Sequence, residues 1–126
     1  MTEHHLMTQT LPIELTNGND GRGSKWYSSA KVRKRIETTL RGLGLVRQPF
    51  EYQVAIRLTR VLGKGQQFWD SDSFYRGNSK ELIDALVACG WFHDDGPKWI
   101  VDATGKQDAS QRVNGPCVIV EVFKAN

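Results

Sequence analysis

This sequence of 126 residues is poor in cysteine, with Cys89 and Cys117 far apart in apolar stretches. Neither belongs to a Cys-x-x-Cys pair, so the spacing gives no sign of a zinc-type site, and we interpret both side chains as buried free thiols. A domain of this length buries roughly two thirds of the surface of its unfolded chain, which allows it to fold without disulfides or structural metals.

Long apolar runs are also missing. No stretch reaches the roughly 18 apolar residues of a membrane span, and residues 1–10 lack the basic and apolar regions of a signal peptide. We therefore expect a cytoplasmic protein with no membrane partner. The composition, 39% hydrophobic and 25% charged, is typical of one soluble globular domain.

Positive charge is concentrated in the middle of the chain. The formal net charge is +3, but residues 22–64 carry eleven bases against two acids, whereas residues 1–21 and 65–126 are each net −3. Such a local excess suits a polyanion, and nucleic acid is the leading partner class. The candidate DNA-binding residues are Arg22, Lys25, Lys31, Arg33, Lys34 and Arg41.

Hydrophobic periodicity predicts the order strand, helix, strand, helix, strand, strand. The predicted strands cover residues 11–15, 51–62, 99–101 and 117–123, the last apolar on both faces and therefore central in the sheet. One helix begins at Ser28 or Ser29 and stops at Gly42 and Gly44, and the other runs from Asn78 to Gly90. These elements predict a single α/β domain over residues 10–126, with a mixed sheet covered mainly on one face by two helices, after a flexible tail at residues 1–9.

Acidic side chains gather in the second half of the chain, at Asp70 and Asp72, at Asp84, and at Asp94 and Asp95. Carboxylate oxygens suit Mg²⁺ or Mn²⁺, and acids beside bases are typical of phosphodiester chemistry. Taken alone, such an acidic pair is more often structural, as in a solvated turn, than catalytic. Lys80 has two open roles, because it can contact a phosphate or form a helical ion pair with Asp84.

The segment from Lys80 to Asp95, KELIDALVACGWFHDD, resembles the signature of the RusA family of Holliday junction resolvases. In that family an Asp-x-Asp-Asn-x-x-Lys motif is followed by Asp-Ala-Leu, a glycine with a hydrophobic residue, and an Asp-Asp pair. The spacings agree without a gap from Lys80 to Asp95. The resemblance implies a small α/β homodimer that cleaves branched DNA with a divalent metal.

Lys80 and Asp95 match the family's lysine and catalytic aspartate by position, whereas Asp70 and Asp72 match its Asp-x-Asp ligands in residue type. The resemblance thus implies four catalytic residues, Asp70, Asp72, Lys80 and Asp95, of which the three aspartates are the metal ligands. Asp84 and Asp94 occupy motif positions. One departure lies between Asp72 and Lys80, which are eight residues apart where the family has four. Either a four-residue insertion bulges out, which we favour, or the metal site is incomplete.

Three hypotheses follow. The first is a metal-dependent, structure-selective endonuclease active in DNA recombination and repair, and the second is a catalytically impaired RusA-like module that binds DNA. The third is a structural or assembly protein whose basic side chains only form the solvent-exposed face of a helix.

Overall fold

The computed structural model describes residues 4–15, 29–67 and 79–125. Its elements follow the predicted order of strands and helices. They are β1 (His4–Leu11), α1 (Ser29–Gly42), β2 (Val54–Val61), α2 (Ser79–Ala88), β3 (Ile100–Asp108) and β4 (Cys117–Lys124), with a short 3₁₀ helix at Arg112–Asn114.

The four strands form one mixed sheet in the order β1-β4-β2-β3. β2 and β3 are parallel, as expected for two strands joined through a helix, whereas β4 is antiparallel to both β1 and β2. The central position predicted for β4 is confirmed. The α/β class and the mixed sheet are confirmed as well.

One face of the sheet carries the core. Ile56 pairs with Val122 and Leu58 with Val120, so these side chains point to the same side. They belong to a single buried cluster with the apolar stripes of both helices, which explains why the two helices lie on this face. The helix residues of the cluster are Val32, Ile36, Leu40, Leu82, Ala85 and Leu86. On the opposite face, Arg57 pairs with Glu121.

Glycines end both helices at the predicted places. Gly44 and Gly90 adopt φ values of +72° and +89°, a left-handed conformation that glycine tolerates best. Gly90 has a second constraint, because a Cβ atom there would collide with the carbonyl oxygen of Arg47. Arg47 itself donates its backbone N–H to Cys89 O at 3.2 Å, which fixes the close approach of these two segments.

The N-terminal prediction is wrong in its boundaries. Residues 4–9, expected in a flexible tail, lie in β1, which pairs with β4 along its whole length and ends before Pro12. Ile13 and Leu15 lie after the end of β1 and are buried. Their alternation with polar residues therefore reflects burial and not pairing in the sheet. A strand at the edge of a sheet is held by main-chain hydrogen bonds and needs little apolar periodicity, which is why the polar sequence gave no signal.

β3 is also longer than predicted. The expected strand covers Trp99 to Val101, but β3 continues through polar residues to Asp108. It is the other edge strand, so most of its side chains remain exposed and leave no alternation to detect. The 3₁₀ helix that follows at Arg112–Asn114 was not predicted.

Both cysteines are buried and free, as predicted, and burial raises the pKa of each thiol. Within the described ranges, no helix combines the length and apolar character that a membrane span requires.

Candidate functional site

The fold brings Lys80, at the start of α2, next to Asp95, in the turn between α2 and β3. Lys80 Nζ lies 3.5 Å from Asp95 Oδ2 and 3.5 Å from Asp84 Oδ1. The predicted helical pair with Asp84 is therefore present, and it does not exclude the contact with Asp95. The lysine side chain is 70% exposed and that of Asp95 42% exposed, so both are open to a ligand from solvent.

The charge state of Lys80 follows from these neighbours. The Asp84 carboxylate, with a smaller contribution from Asp95, raises the pKa of Lys80 above its ordinary value. The side chain is therefore an ammonium ion at neutral pH. As a cation it can stabilise negative charge on a bound ligand.

Asp94 shapes the turn that carries Asp95. Its Oδ1 accepts the backbone N–H of Asp95 at 2.8 Å, a hydrogen bond typical of aspartate in turns. The two members of this aspartate pair thus differ in role: the Asp94 carboxylate is engaged by the main chain, whereas that of Asp95 faces Lys80.

A groove of about 380 Å³ opens between the start of α2 and β3, with Lys80 and Asp95 in its wall. Ala103 and Gly105 pair with Ile56 and Leu58, so they lie on the helix-covered side of the sheet. Because these positions carry little or no side chain, the space between α2 and β3 is not filled. Ala103 and Gly105 are not among the site residues predicted from the sequence. They alternate with polar neighbours after Val101, but small residues give no apolar period, so the sequence pattern did not mark them.

A second groove of about 400 Å³ lies between α1 and α2. Its lining includes the carboxylates of Asp84, Asp94 and Asp95 and also Arg33 of α1. Arg33 Nε is 3.3 Å from Glu37 Oε2, one helical turn away. Asp95 lines both grooves, so it marks the point where the basic helix and the α2–β3 groove meet.

The predicted basic face of α1 is exposed. Four predicted DNA-binding residues and one further base on this helix point to solvent: Lys31, Arg33, Lys34, Arg35 and Arg41. Arg41 also has a structural role, because its Nη2 donates to Ala88 O at 3.1 Å, at the carboxyl end of α2.

Arg60, another base of the positive segment, is buried and donates to Gln67 O and Gln107 Oε1. Burial lowers the pKa of Arg60, and its position in this network makes it structural.

Four predicted site residues, Asp70, Asp72, Arg22 and Lys25, lie outside the described residues. In the part of the chain that the structure describes, no three side chains of the types that bind metals come together. Asp95 is the described member of the ligand set that the resemblance implies.

His93, which the sequence left without a role, packs against the Trp99 ring, with centroids 4.4 Å apart, and its Nε2 lies 3.2 Å from Glu51 Oε2. These contacts hold the segment before Asp94 against the loop before β2. His93 thus supports the turn through Trp99 and Glu51.

Comparison with protein-family models finds no family that matches this chain, and comparison with curated proteins finds no significant relative. Site geometry and the resemblance of residues 80–95 are therefore the two grounds for a functional proposal.

Proposed function

We propose that this protein is a divalent-metal-dependent endonuclease that acts on branched DNA such as Holliday junctions, in recombination and repair. The observation that carries the proposal is the 3.5 Å contact between Lys80 Nζ and Asp95 Oδ2. These are the two motif residues to which the resemblance assigns the phosphate contact and a metal ligand. Their proximity is what that assignment requires, and it arises from side chains that are fifteen positions apart.

The donor chemistry fits Mg²⁺ or Mn²⁺. Asp95 offers a partly exposed carboxylate, and hard divalent cations prefer carboxylate oxygens together with water and phosphate oxygens. Asp70, Asp72 and Asp95 would hold the ion. When bound, the metal would lower the pKa of an attacking water and neutralise charge on the phosphate.

Lys80 would act on the scissile phosphate as a fixed positive charge. As an ammonium ion it would stabilise the negative charge that develops on the phosphate oxygens. Metal binding at Asp95 would weaken its pairing with Lys80, and Asp84 would keep the lysine directed toward the site.

The exposed bases of α1 would hold the DNA backbone. Arg33 borders the same groove as Asp95, and Lys34 extends the basic surface away from it. Contacts to phosphates position a duplex without reading its sequence, as expected for an enzyme that recognises DNA shape. One chain provides one site, so cutting two strands of a junction requires a homodimer.

A DNA-binding module without catalysis is the second candidate. The exposed basic face of α1 supports it as well as it supports a nuclease. The spacing between Asp72 and Lys80 favours it, because that spacing departs from the family motif.

Cleavage of a synthetic four-way junction separates the two candidates. A labelled junction and a linear duplex of the same sequence are incubated with the protein and Mg²⁺, then with Mn²⁺, and then with excess chelator. The nuclease proposal predicts nicks in the junction with either metal and none with chelator. Tight binding of the junction with no nicks under any of these conditions would support the module instead.

A further inference from the structure

β3 forms an edge of the sheet along the whole groove. In the described part of the chain, β3 pairs with β2 on one side, and no strand pairs with its other side. Asp102, Ala103 and Thr104 are exposed, as is 43% of Val101. An unpaired strand edge presents a row of backbone donors and acceptors that another strand can pair with.

The groove beside α2 follows this edge. Its lining includes every residue from Ile100 to Gly105. Side chains alternate between the faces of a strand, so six consecutive residues can share one groove only where the groove runs along the strand backbone. The groove is therefore open to an extended segment lying beside β3.

The other sheet edge is less suited to pairing. β1 has a register shift between His5 and Met7, within its ladder, and such irregularities protect an edge. In β3 the register shift lies at the start, and the ladder with β2 is regular from Asp102 to Asp108.

Two copies of β3 have complementary charges when they pair antiparallel. Asp102, Thr104 and Lys106 pair with alternate residues of β2 and lie on the helix-free face. In an antiparallel pair of two β3 strands centred on Thr104, Asp102 of each copy faces Lys106 of the other. Centring the pair on Gly105 would oppose Asp102 to Asp108, which is unfavourable. Of these two registers, the charges favour the one centred on Thr104.

From these observations we propose that two copies of this chain pair through β3, antiparallel and centred on Thr104, to form one continuous sheet. The inference deepens the homodimer proposed above by naming its surface, but the pairing itself does not require nuclease activity. Because side chains of opposed residues share a face, the two helix layers lie on the same side of the joined sheet. In this arrangement the grooves of the two copies lie on the same side of the joined sheet, each with its Lys80–Asp95 pair.

Charge reversal tests the register. The full-length chain is compared by sedimentation velocity with Asp102→Lys, with Lys106→Asp and with the double variant that exchanges the two charges. We expect a dimer for the wild type, dimer dissociation constants at least about tenfold higher for each single variant, and recovery in the double variant. Far-ultraviolet circular dichroism checks that all four proteins are folded.

Disulfide trapping tests the centre of the pair. Thr104→Cys is expected to form an interchain disulfide under mild oxidation, because opposed residues of an antiparallel pair lie about 4.5–5.5 Å apart. Val113→Cys is the control, since Val113 is 93% exposed but lies beyond β3. A wild-type monomer at all concentrations, or a dimer that neither responds to charge reversal nor crosslinks at position 104, would overturn the inference. Junction nicking by a stable monomer would overturn it too while leaving the nuclease proposal intact.

Discussion

Lys80 Nζ and Asp95 Oδ2 lie 3.5 Å apart, although α2 and the following turn separate them along the chain. The contact places a cation and a carboxylate side by side in the wall of an open groove. The proposed function is based on this contact, and substitution of either residue tests it.

Removing the lysine charge should impair cleavage without unfolding the protein. We expect Lys80→Gln to slow junction nicking by about 100-fold, because a fixed charge at the developing phosphate anion is lost. Stability should change little, since the side chain is 70% exposed. Single-turnover nicking rates and thermal unfolding measure the two effects. Lys124→Gln removes an exposed lysine at the end of β4 and is the matched control. Equal rates for the two variants would exclude Lys80 from the mechanism.

The basic face of α1 should control the salt dependence of DNA binding. We expect Lys34→Gln to weaken binding to all duplex sequences alike and to reduce the slope of log affinity against log salt by about 0.9, the value for one lost phosphate contact. Lys34 is exposed on the helix, so folding should be unaffected. Fluorescence anisotropy between low and moderate salt measures the slope. An unchanged slope would place the DNA elsewhere on the protein.

Replacing Gly90 should reduce stability, whereas replacing Gly42 should not. Gly90→Ala places a side chain in a left-handed conformation, which costs about 1–2 kcal/mol, and the new Cβ would also collide with Arg47 O. Gly42→Ala has open space at the end of α1 and should stabilise the protein by about 0.5 kcal/mol. Urea unfolding of both variants gives the free energies of unfolding. Similar values would show that the α2 turn is not constrained as described.

The carboxylate of Asp108 should titrate far below its ordinary range. Hydrogen bonds from the Ser110 side chain, from Gln111 and from the Ser110 backbone lower the pKa of Asp108 from 3.8 to about 2. A lowered pKa means that the ionised form stabilises the fold above about pH 3.8 and that this stabilisation disappears as the pH falls toward 2. Carboxyl chemical shifts followed by NMR measure the pKa, and Ser110→Ala should raise it. An unshifted value would mean that the turn after β3 is not formed.

The parts of the fold that can be predicted are those in which burial gives the apolar residues a regular spacing along the sequence. The stripe of Val32, Ile36 and Leu40 predicted α1, and the double-sided apolar run of β4 predicted its place inside the sheet. Helix ends were predictable as well, because Gly44 and Gly90 adopt a left-handed backbone conformation that favours glycine.

The two edge strands escaped prediction for a common reason. Their stability comes from main-chain pairing on one side and burial of a minority of side chains, so the polar segments 4–10 and 102–108 carry little periodicity. The groove was not predicted for the same reason, because it depends on the small residues Ala103 and Gly105 within β3.

For the site, the motif identified Lys80 and Asp95, but their contact depends on how the turn after α2 folds back. The predicted ligands Asp70 and Asp72 lie outside the described residues.

Asp95→Asn is the most direct test of the central claim. The measurement is single-turnover nicking of a four-way junction in Mg²⁺, together with junction affinity in chelator, for the wild type, Asp95→Asn and Glu121→Gln. The last variant makes the same carboxylate-to-amide change on the helix-free face of the sheet, away from the grooves. We expect Asp95→Asn to abolish nicking while binding is retained, and Glu121→Gln to behave like the wild type. Nicking by Asp95→Asn at the wild-type rate would contradict the proposed role of Asp95 as a metal ligand.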